Sequence, residues 1–211
     1  MNYLFAHLPK VGTLLAQHVV LVGTALALSI AIALPLGILA ARNRRIATPL
    51  LGTLGALYTI PSLALLALLV EYVGLGFWTA IAALVTYAQF ILVRNVAAGL
   101  RGVPAAQVEA ARGLGMTSAQ RFWRVELPLA FPVMLGGVRL ATISMIAIAT
   151  LAAYVGAGGL GTLIFEGLDR QYPAEALAGS IPAALLAVLA DALFRALERR
   201  WTRHLTPRAA G

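Results

Sequence analysis

The sequence predicts an all-α protein that crosses a membrane five times. Of its 211 residues, 61% are hydrophobic and only 11% are charged, and the mean hydropathy is +0.88. Five apolar stretches each approach the roughly 20 residues that a helix needs to cross a hydrocarbon layer about 30 Å thick. Because lipid has no water to bind unpaired backbone groups, we expect each stretch to be helical.

The predicted spans cover residues 19–41, 49–70, 77–98, 131–154 and 176–194 of a single membrane domain, residues 1–211. Pro35, Pro61 and Pro182 lie inside three of these spans. A proline removes a backbone hydrogen bond, so each one predicts a kink or a locally widened turn. Membrane helices also tolerate proline where neighbours satisfy the freed carbonyl, and that alternative stays open for each position.

The charges indicate how the spans are oriented, because Lys and Arg accumulate in cytoplasmic loops. Arginines follow the first, third and fifth spans: Arg42, Arg44, Arg45, Arg101, Arg112, Arg121, Arg124, Arg195, Arg199, Arg200, Arg203 and Arg208. The other loops hold Glu71, Glu166, Asp169, Arg170 and Glu175. We therefore expect the N-terminus outside and the C-terminus inside. The same distribution accounts for the net charge of +8 without nucleic-acid binding.

Two loops are longer than a helix hairpin needs. The cytoplasmic stretch 99–130 predicts two short helices joined at a turn, the second capped by Thr117 or Ser118. In that second helix Phe122, Trp123 and Val125 are expected to make apolar contacts, while Gln120, Arg121 and Arg124 stay in water. The outer stretch 155–173 opens with Gly156, Gly158, Gly159 and Gly161, which predict a tight turn and a close approach of helices.

The cytoplasmic stretch carries a spaced motif: Glu109-Ala110-Ala111, then Gly115, then Val125-Glu126-Leu127-Pro128. This motif resembles the EAA loop of binding-protein-dependent ABC importer permeases, with Val125 in place of the customary isoleucine. The resemblance implies a coupling helix that docks on a cytoplasmic ATPase. Its site residues would be Glu109, Ala110, Ala111, Gly115, Leu127 and Pro128. Small residues allow close approach and Glu109 offers a charge to donors on the partner, although such residues could merely cap a surface helix.

Further segments resemble permeases for osmoprotectants such as glycine betaine, choline and carnitine: Ile60-Pro61-Ser62-Leu63-Ala64-Leu65, Ala157-Gly158-Gly159-Leu160-Gly161 and Ile181-Pro182-Ala183. Methionine importer permeases share the five-span plan, so the solute stays open. The resemblance implies four partners: an ABC ATPase dimer, a second permease, identical or paralogous, an external substrate-binding protein and the lipid of a prokaryotic plasma (inner) membrane. ATP and Mg²⁺ would be held by the ATPase, and no cofactor by this chain.

The residues themselves indicate a subunit that is not an enzyme, and the resemblance implies that its role is transport. A P-loop needs a lysine behind glycines, and the only lysine, Lys10, has no glycine-rich lead. No nucleophile with a matching base and no paired-carboxylate site is apparent. His7, His18 and His204 lie far apart, which suggests no metal site.

Polar and aromatic residues inside the spans are candidates for a solute path. Tyr58 and Tyr87, with Pro61 and Ser62, could line it, because aromatic faces attract quaternary ammonium groups, but packing is an equally good explanation for both tyrosines. Near the cytoplasmic ends, Arg94, Asn95 and Arg139 are expected to have structural roles and to reach the interface, and Asp191 to pair with Arg195.

Two other classes of function remain in view. A secondary transporter would need an ionisable residue or a pair of broken helices near the midplane, and the middle thirds of the predicted spans hold no Asp, Glu or Lys and no Arg other than Arg139 at the edge of one. A membrane scaffold that recruits a cytoplasmic partner through the same loop is not excluded by the sequence.

Overall fold

A computed structural model describes residues 2–202, which form ten α-helices, one π-helical turn and one 3-10 turn. They are α1 (Asn2–Ala6), α2 (Leu8–Arg42), α3 (Arg44–Thr59), α4 (Ser62–Val73), α5 (Phe77–Arg101), α6 (Ala105–Gly113), α7 (Ser118–Arg121), the π-helical turn (Phe122–Glu126), α8 (Leu127–Ala149), the 3-10 turn (Leu151–Val155), α9 (Gly161–Asp169) and α10 (Pro173–Thr202). These residues contain no β-strand, so the predicted all-α class is confirmed.

Four helical runs in this part of the chain are long and apolar enough to cross a membrane: α2, α5, the run from α7 through α8, and α10. Helices α3 and α4 reach this standard only as a pair, and they are bent by 98° where they meet. The predicted number of five spans therefore holds when this broken pair is counted as one span.

Several helices extend beyond the predicted spans. Helix α2 begins at Leu8 instead of residue 19, because Pro9 lies in its first turn, where a missing N–H does no harm, and Val11 and Leu14 are buried there. Helix α10 continues to Thr202 instead of ending at residue 194. Arg203, His204 and Arg208 lie outside the described residues.

Helix α5 forms the centre of the bundle and is buried along most of its length between α2 and α8. Glycines make these approaches close: a Cβ on Gly37 of α2 would collide with Val96, and one on Gly137 of α8 would collide with Asn95. Small residues at such crossings let membrane helices gain van der Waals contact that lipid would not provide. Arg101, the last residue of α5, donates to the carbonyls of Ala40 and Ala41 and fixes the end of α2 beside it.

The span predicted over residues 49–70 bends at Pro61, where the sequence predicts a kink, but the bend is a full break between two helices at Ile60 and Pro61. Ile60 is extended (φ −62°, ψ 130°), the conformation that a following proline favours. Tyr87 of α5 is buried, and its hydroxyl donates to the Ile60 carbonyl that the break leaves free. By contrast, α2 and α10 continue through Pro35 and Pro182. The strongest effect of an intramembrane proline thus occurs where a neighbouring helix supplies a donor.

The connection between α5 and α8 contains the expected first helix, α6, but its second helix is not separate. Helix α7 continues through the π-helical turn directly into α8. Pro128 lies in the first turn of α8. It has no N–H to donate to the carbonyl four residues earlier, and its ring crowds that carbonyl, so regular α-helical bonding is disturbed around this position. The Leu127 N–H instead reaches the Phe122 carbonyl, five residues back, which widens the helix without ending it.

The glycine-rich stretch after α8 makes the tight turn that the sequence predicts. Gly156, Gly158 and Gly159 have positive φ, and a Cβ on Gly161 would collide with the carbonyl of Thr150. Helix α9 follows and was not predicted, because the sequence analysis treated residues 155–173 as a loop.

Ion pairs join α8 to α10. Asp191 pairs with Arg195, as predicted. Arg139 of α8, which was expected to reach the interface, instead lies 3.8 Å from Asp191 and 3.4 Å from Glu198. Two carboxylates of α10 thereby neutralise an arginine that projects from α8, which lowers the cost of placing it beside an apolar bundle.

Replacing Tyr87 with Phe is expected to destabilise the fold, because the Ile60 carbonyl loses its donor. A typical hydrogen bond within a protein contributes about 0.5–1.5 kcal/mol net, and in a chain of this size each kcal/mol lowers the Tm by about 2–4 °C. We therefore expect thermal unfolding of the detergent-solubilised Tyr87→Phe variant several degrees below the parent. Tyr58→Phe is the matched control, because its exposed hydroxyl makes no hydrogen bond within residues 2–202. Equal Tm values for both variants would contradict this role of Tyr87.

Candidate functional site

We refer to the end of the bundle that holds Arg42, Arg101 and α6 as the loop end, and to the end that holds Lys10 and Glu175 as the far end. The motif residues identified in the sequence lie at the loop end, on α6 and on the run from α7 to α8. Glu109 and Ala110 are exposed, with 66% of the Glu109 side chain open to solvent. Glu109 forms an ion pair with Arg112 at 2.8 Å on the same helix. A pair this exposed contributes little to stability, so Glu109 remains available to another partner.

Ala111 differs from its two neighbours because it is buried. It is the buried residue of α6, a helix that packs against α7 and the π-helical turn. A larger side chain there would push α6 away from the rest of the chain. The three consecutive motif residues therefore divide into two that face outward and one that attaches the helix.

Gly115 ends α6 in a Schellman motif. The Gly115 N–H donates to Arg112 and the Met116 N–H to Ala111, at 2.9 and 3.1 Å. The φ of Gly115 is +73°, a conformation that other residues rarely adopt, while a Cβ there would meet no atom within 4 Å. Gly115 was expected to allow close approach of a partner; within this chain, it is needed for its left-handed backbone conformation.

The next helix begins with a capping box. The Thr117 side chain accepts from the Gln120 N–H at 3.3 Å, and the Gln120 side chain accepts from the Thr117 N–H at 2.9 Å. The predicted capping by Thr117 is confirmed. Because a Schellman motif ends α6 and a capping box starts α7, the turn 114–117 holds the two helices in a defined relation.

Two apolar side chains at this site are exposed: Leu114 is 77% and Trp123 64% open to solvent. Of the residues expected to make apolar contacts, Phe122 packs against a buried cluster that includes Val96, Leu100 and Ala130, while Trp123 contacts the Phe122 ring and stays largely exposed. Both lie within ten residues of each other, at the end of the bundle that carries the motif.

Leu127 and Pro128 lie where the π-helical turn joins α8, and both are half-buried. The Pro128 carbonyl accepts from the Trp201 indole of α10 at 3.3 Å, and the Trp201 ring lies 4.4 Å from that of Phe131. These two motif residues therefore connect the loop end with α8 and α10 and are not part of its exposed surface.

Glu126 is a site residue that the sequence analysis missed. Only 4% of Glu126 is exposed to solvent. One of its carboxylate oxygens accepts a hydrogen bond from Arg121 at 3.0 Å, and the other accepts one from Arg42. Arg121, expected in water, has a side chain only 13% exposed for this reason. An acidic residue at the start of an apolar span, with arginines nearby in sequence, was the signal that could have revealed it.

The candidate path residues meet at the break between α3 and α4. Tyr58 is exposed and lies edge-on to Tyr87, with 5.9 Å between ring centroids, and 5.3 Å from the Phe90 ring. Pro61 is exposed and Ser62 half-buried. Tyr87 is buried and engaged with Ile60, so Tyr58, Pro61 and Ser62 form the accessible part of this group.

At the far end, charged residues that the sequence placed in outer loops form one cluster. Lys10 lies 2.8 Å from Glu166 and 3.4 Å from Glu175, and Arg170 lies 3.4 Å from Glu175. The Tyr3 hydroxyl donates to Glu175 at 2.6 Å, and this hydrogen bond raises the pKa of Tyr3 above its usual value. The cluster joins α1, α2, α9 and α10. Across residues 2–202, no group of three His, Cys, Asp or Glu side chains could hold a metal ion.

Comparison with known proteins gives concordant matches. The chain is 42% identical over 193 residues to the carnitine transport permease protein OpuCB of Listeria monocytogenes, covering 92% of this chain and 87% of the relative. It is 38% identical over 186 residues to the choline transport system permease protein OpuBB of Bacillus subtilis, covering 88% and 86%. The osmoprotectant import permease protein OsmW of Salmonella typhimurium is 37% identical over 203 residues, covering 94% of each chain.

A solved structure, an inward-facing crystal form of the MetNI methionine ABC transporter, has a chain with the same fold. Its TM-score is 0.80 at 20% identity, over 95% of this chain and 98% of that one. The family model for the inner membrane component of binding-protein-dependent transport systems matches residues 33–203. The chain therefore belongs to the family of binding-protein-dependent transport system inner membrane components.

Proposed function

We propose that this chain is the permease subunit of an ATP-driven importer of a small osmoprotectant such as glycine betaine, choline or carnitine. The observation that carries the proposal is the exposed α6 with its Schellman end, held at the loop end of a permease fold whose relatives are named for these solutes. ATP and Mg²⁺ belong to a separate ATPase dimer. This chain supplies the path and the contact through which that ATPase acts.

The orientation follows from the charges. The arginines at the loop end put this end in the cytoplasm by the positive-inside rule, with the N-terminus outside and the C-terminus inside. The far end, where Glu166 and Glu175 bind Lys10 and Arg170, faces outward. An external substrate-binding protein then meets the far end, and the ATPase meets α6.

The contact with the ATPase is made by the outward-facing residues of the loop end. Glu109 offers a carboxylate to donors in a groove on the partner, and Ala110 lets the helix approach closely. Leu114 and Trp123 add the apolar surface that interface cores require. Ala111, Gly115, Leu127 and Pro128 hold these residues in place from behind.

The path is formed with a second permease, identical or paralogous, because five spans packed around one central helix leave no room for a path within the chain. Tyr58, Pro61 and Ser62 line it at the break between α3 and α4, and Tyr87 maintains the break. The face of Tyr58 suits a quaternary ammonium group, and such contacts contribute about 0.5–2 kcal/mol. A weak site is sufficient where the external binding protein captures the solute.

The transport cycle follows from these contacts. The binding protein delivers solute to the far end, and ATP closes the two ATPases below the loop end. The two α6 helices, carried by the ATPases, move the spans to an outward-open state, and hydrolysis returns them to an inward-open one. Each step uses surfaces of this chain, and none requires it to hold nucleotide.

Reversing the charge of Glu109 should abolish docking of the ATPase. In Glu109→Lys the new cation faces the donors meant for a carboxylate and also repels Arg112. Co-purification of the ATPase with the tagged permease measures the effect. Gln107→Lys is the matched control, because it adds a lysine to an exposed position on another face of α6 and should retain the ATPase. Retention by both variants would refute the assignment of α6.

Gly115→Ala should weaken the same interaction by distorting the end of α6. A side chain in the left-handed region costs about 1–2 kcal/mol, and a loss of about 1.4 kcal/mol corresponds to tenfold in affinity. Gly113→Ala is the control, because Gly113 is helical and a Cβ there meets nothing within 4 Å. Titration of the reconstituted permease with ATPase should give about tenfold weaker binding for Gly115→Ala alone. Equal affinities would show that the Schellman end is dispensable.

The solute is tested by ATPase stimulation in liposomes that contain the permease, its ATPase and its binding protein. We expect glycine betaine, choline or carnitine to stimulate hydrolysis and methionine not to do so. Stimulation by methionine alone would keep the mechanism and overturn the solute class. No stimulation by any of the four would favour a scaffold over a transporter.

A further inference from the structure

Glu126 is placed where three parts of the loop end meet. It is the last residue of the π-helical turn, and only 4% of it is exposed to solvent. Each of its carboxylate oxygens accepts a hydrogen bond from a different arginine. Arg121 belongs to α7, just after the turn that ends α6, while Arg42 is the last residue of α2. One buried carboxylate therefore binds the α6–α7 segment and the end of a distant span.

Arg42 makes a second contact with the same turn. Its guanidinium lies 5.7 Å from the centre of the Phe122 ring, at the start of the π-helical turn. A cation over an aromatic face and a charge-assisted hydrogen bond both constrain direction as well as distance. Arg42, at the end of α2, thus contacts both the first and the last residue of the five-residue turn.

The other spans at the loop end do not need such a link. Helix α8 is continuous with α7 through the turn, so its backbone already joins it to that segment. Helix α5 leads into the connection at Arg101, which binds the Ala40 and Ala41 carbonyls of α2. That contact joins α2 to α5 but not to the turn. In the described residues, the polar link from α2 to the turn is Arg42 with Glu126.

The turn itself is suited to movement. Pro128 prevents a regular α-helical bond at this point, and the π-helical geometry leaves a wider and less tightly bonded ring. A rotation of α6 and α7 would therefore be taken up here. The buried ion pair would then decide whether α2 moves with the turn or stays behind.

We propose that Glu126 is a positioning residue that transmits movement of α6 and α7 to α2 through Arg42. The inference rests on the proposed function, in which an ATPase moves α6. Glu126 touches neither nucleotide nor solute. Its loss would leave docking intact but let the ATPase cycle without moving α2, so that ATP is hydrolysed without uptake.

The test is the amount of ATP hydrolysed per solute taken up, in proteoliposomes with the ATPase and the binding protein. The solute is radiolabelled glycine betaine, choline or carnitine, whichever the parent chain transports fastest. Glu126→Gln keeps the size of the side chain but removes the charge, and Arg42→Ala removes the partner. Both should raise the ratio by about tenfold, within the range of coupling between contacting residues, while the ATPase still co-purifies. Arg45→Ala is the matched control, because Arg45 is exposed, close to Arg42 and without an ion pair within residues 2–202.

The double variant separates transmission from independent damage. If Glu126 acts through Arg42, then Glu126→Gln combined with Arg42→Ala should be no worse than the more severe single variant. If the double variant raised the ratio of ATP hydrolysed to solute taken up by the product of the two single effects, the inference would be overturned. An unchanged ratio in Glu126→Gln would also overturn it, and so would a loss of co-purifying ATPase, which would assign Glu126 to docking.

The parent chain distinguishes this inference from the function on which it rests. A parent that takes up solute with ATP, together with an unchanged ratio in both single variants, would overturn the role of Glu126 alone. A parent that binds no ATPase and takes up no solute would overturn the proposed function and this inference with it.

Discussion

Backbone hydrogen bonding in lipid is the constraint on which the rest of this structure depends. At three places where the chain leaves regular helix, the structure shows which group satisfies the backbone. Tyr87 serves the carbonyl before Pro61, a wider turn accommodates Pro128, and Gln17 accepts from the Gly159 N–H at 3.2 Å. Because lipid cannot replace these partners, the irregular points are restricted to few places. Two of them, the broken span and the π-helical turn, coincide with the proposed path and the proposed point of movement.

Charge has a parallel role at the two ends of the bundle. Each end holds a nearly fully buried carboxylate between cations: Glu126 between Arg42 and Arg121, and Glu175 between Lys10 and Arg170. A buried charge is strongly destabilising when one partner is removed, so both clusters fix the elements they join. Helix α2 takes part in both. Helix α10, which holds Glu175, also reaches the loop end, through the hydrogen bond from Trp201 to the Pro128 carbonyl.

Much of the fold and of the site could be predicted from patterns that act locally. Hydropathy predicted the spans, and the motif spacing located α6, because both depend on residues close in sequence. The proline predicts a kink at Pro61, but the hydrogen bond that Tyr87 donates there comes from another helix, and no local pattern reveals it. The burial of Glu126 and Arg121 depends on Arg42, far away in sequence, and the role of Gly115 on a backbone angle. Helix α9 was missed because its glycine-rich start resembles a loop until Gly161 packs against Thr150.

The central claim is that this chain forms the path of an importer driven by a separate ATPase. Uptake of radiolabelled glycine betaine, choline and carnitine into proteoliposomes tests it most directly, with ATPase and MgATP inside the vesicles and binding protein outside. The account predicts uptake of at least one of these solutes that stops when the ATPase, MgATP or binding protein is left out. Uptake by the permease alone, driven by a proton or sodium gradient and indifferent to ATP, would contradict it.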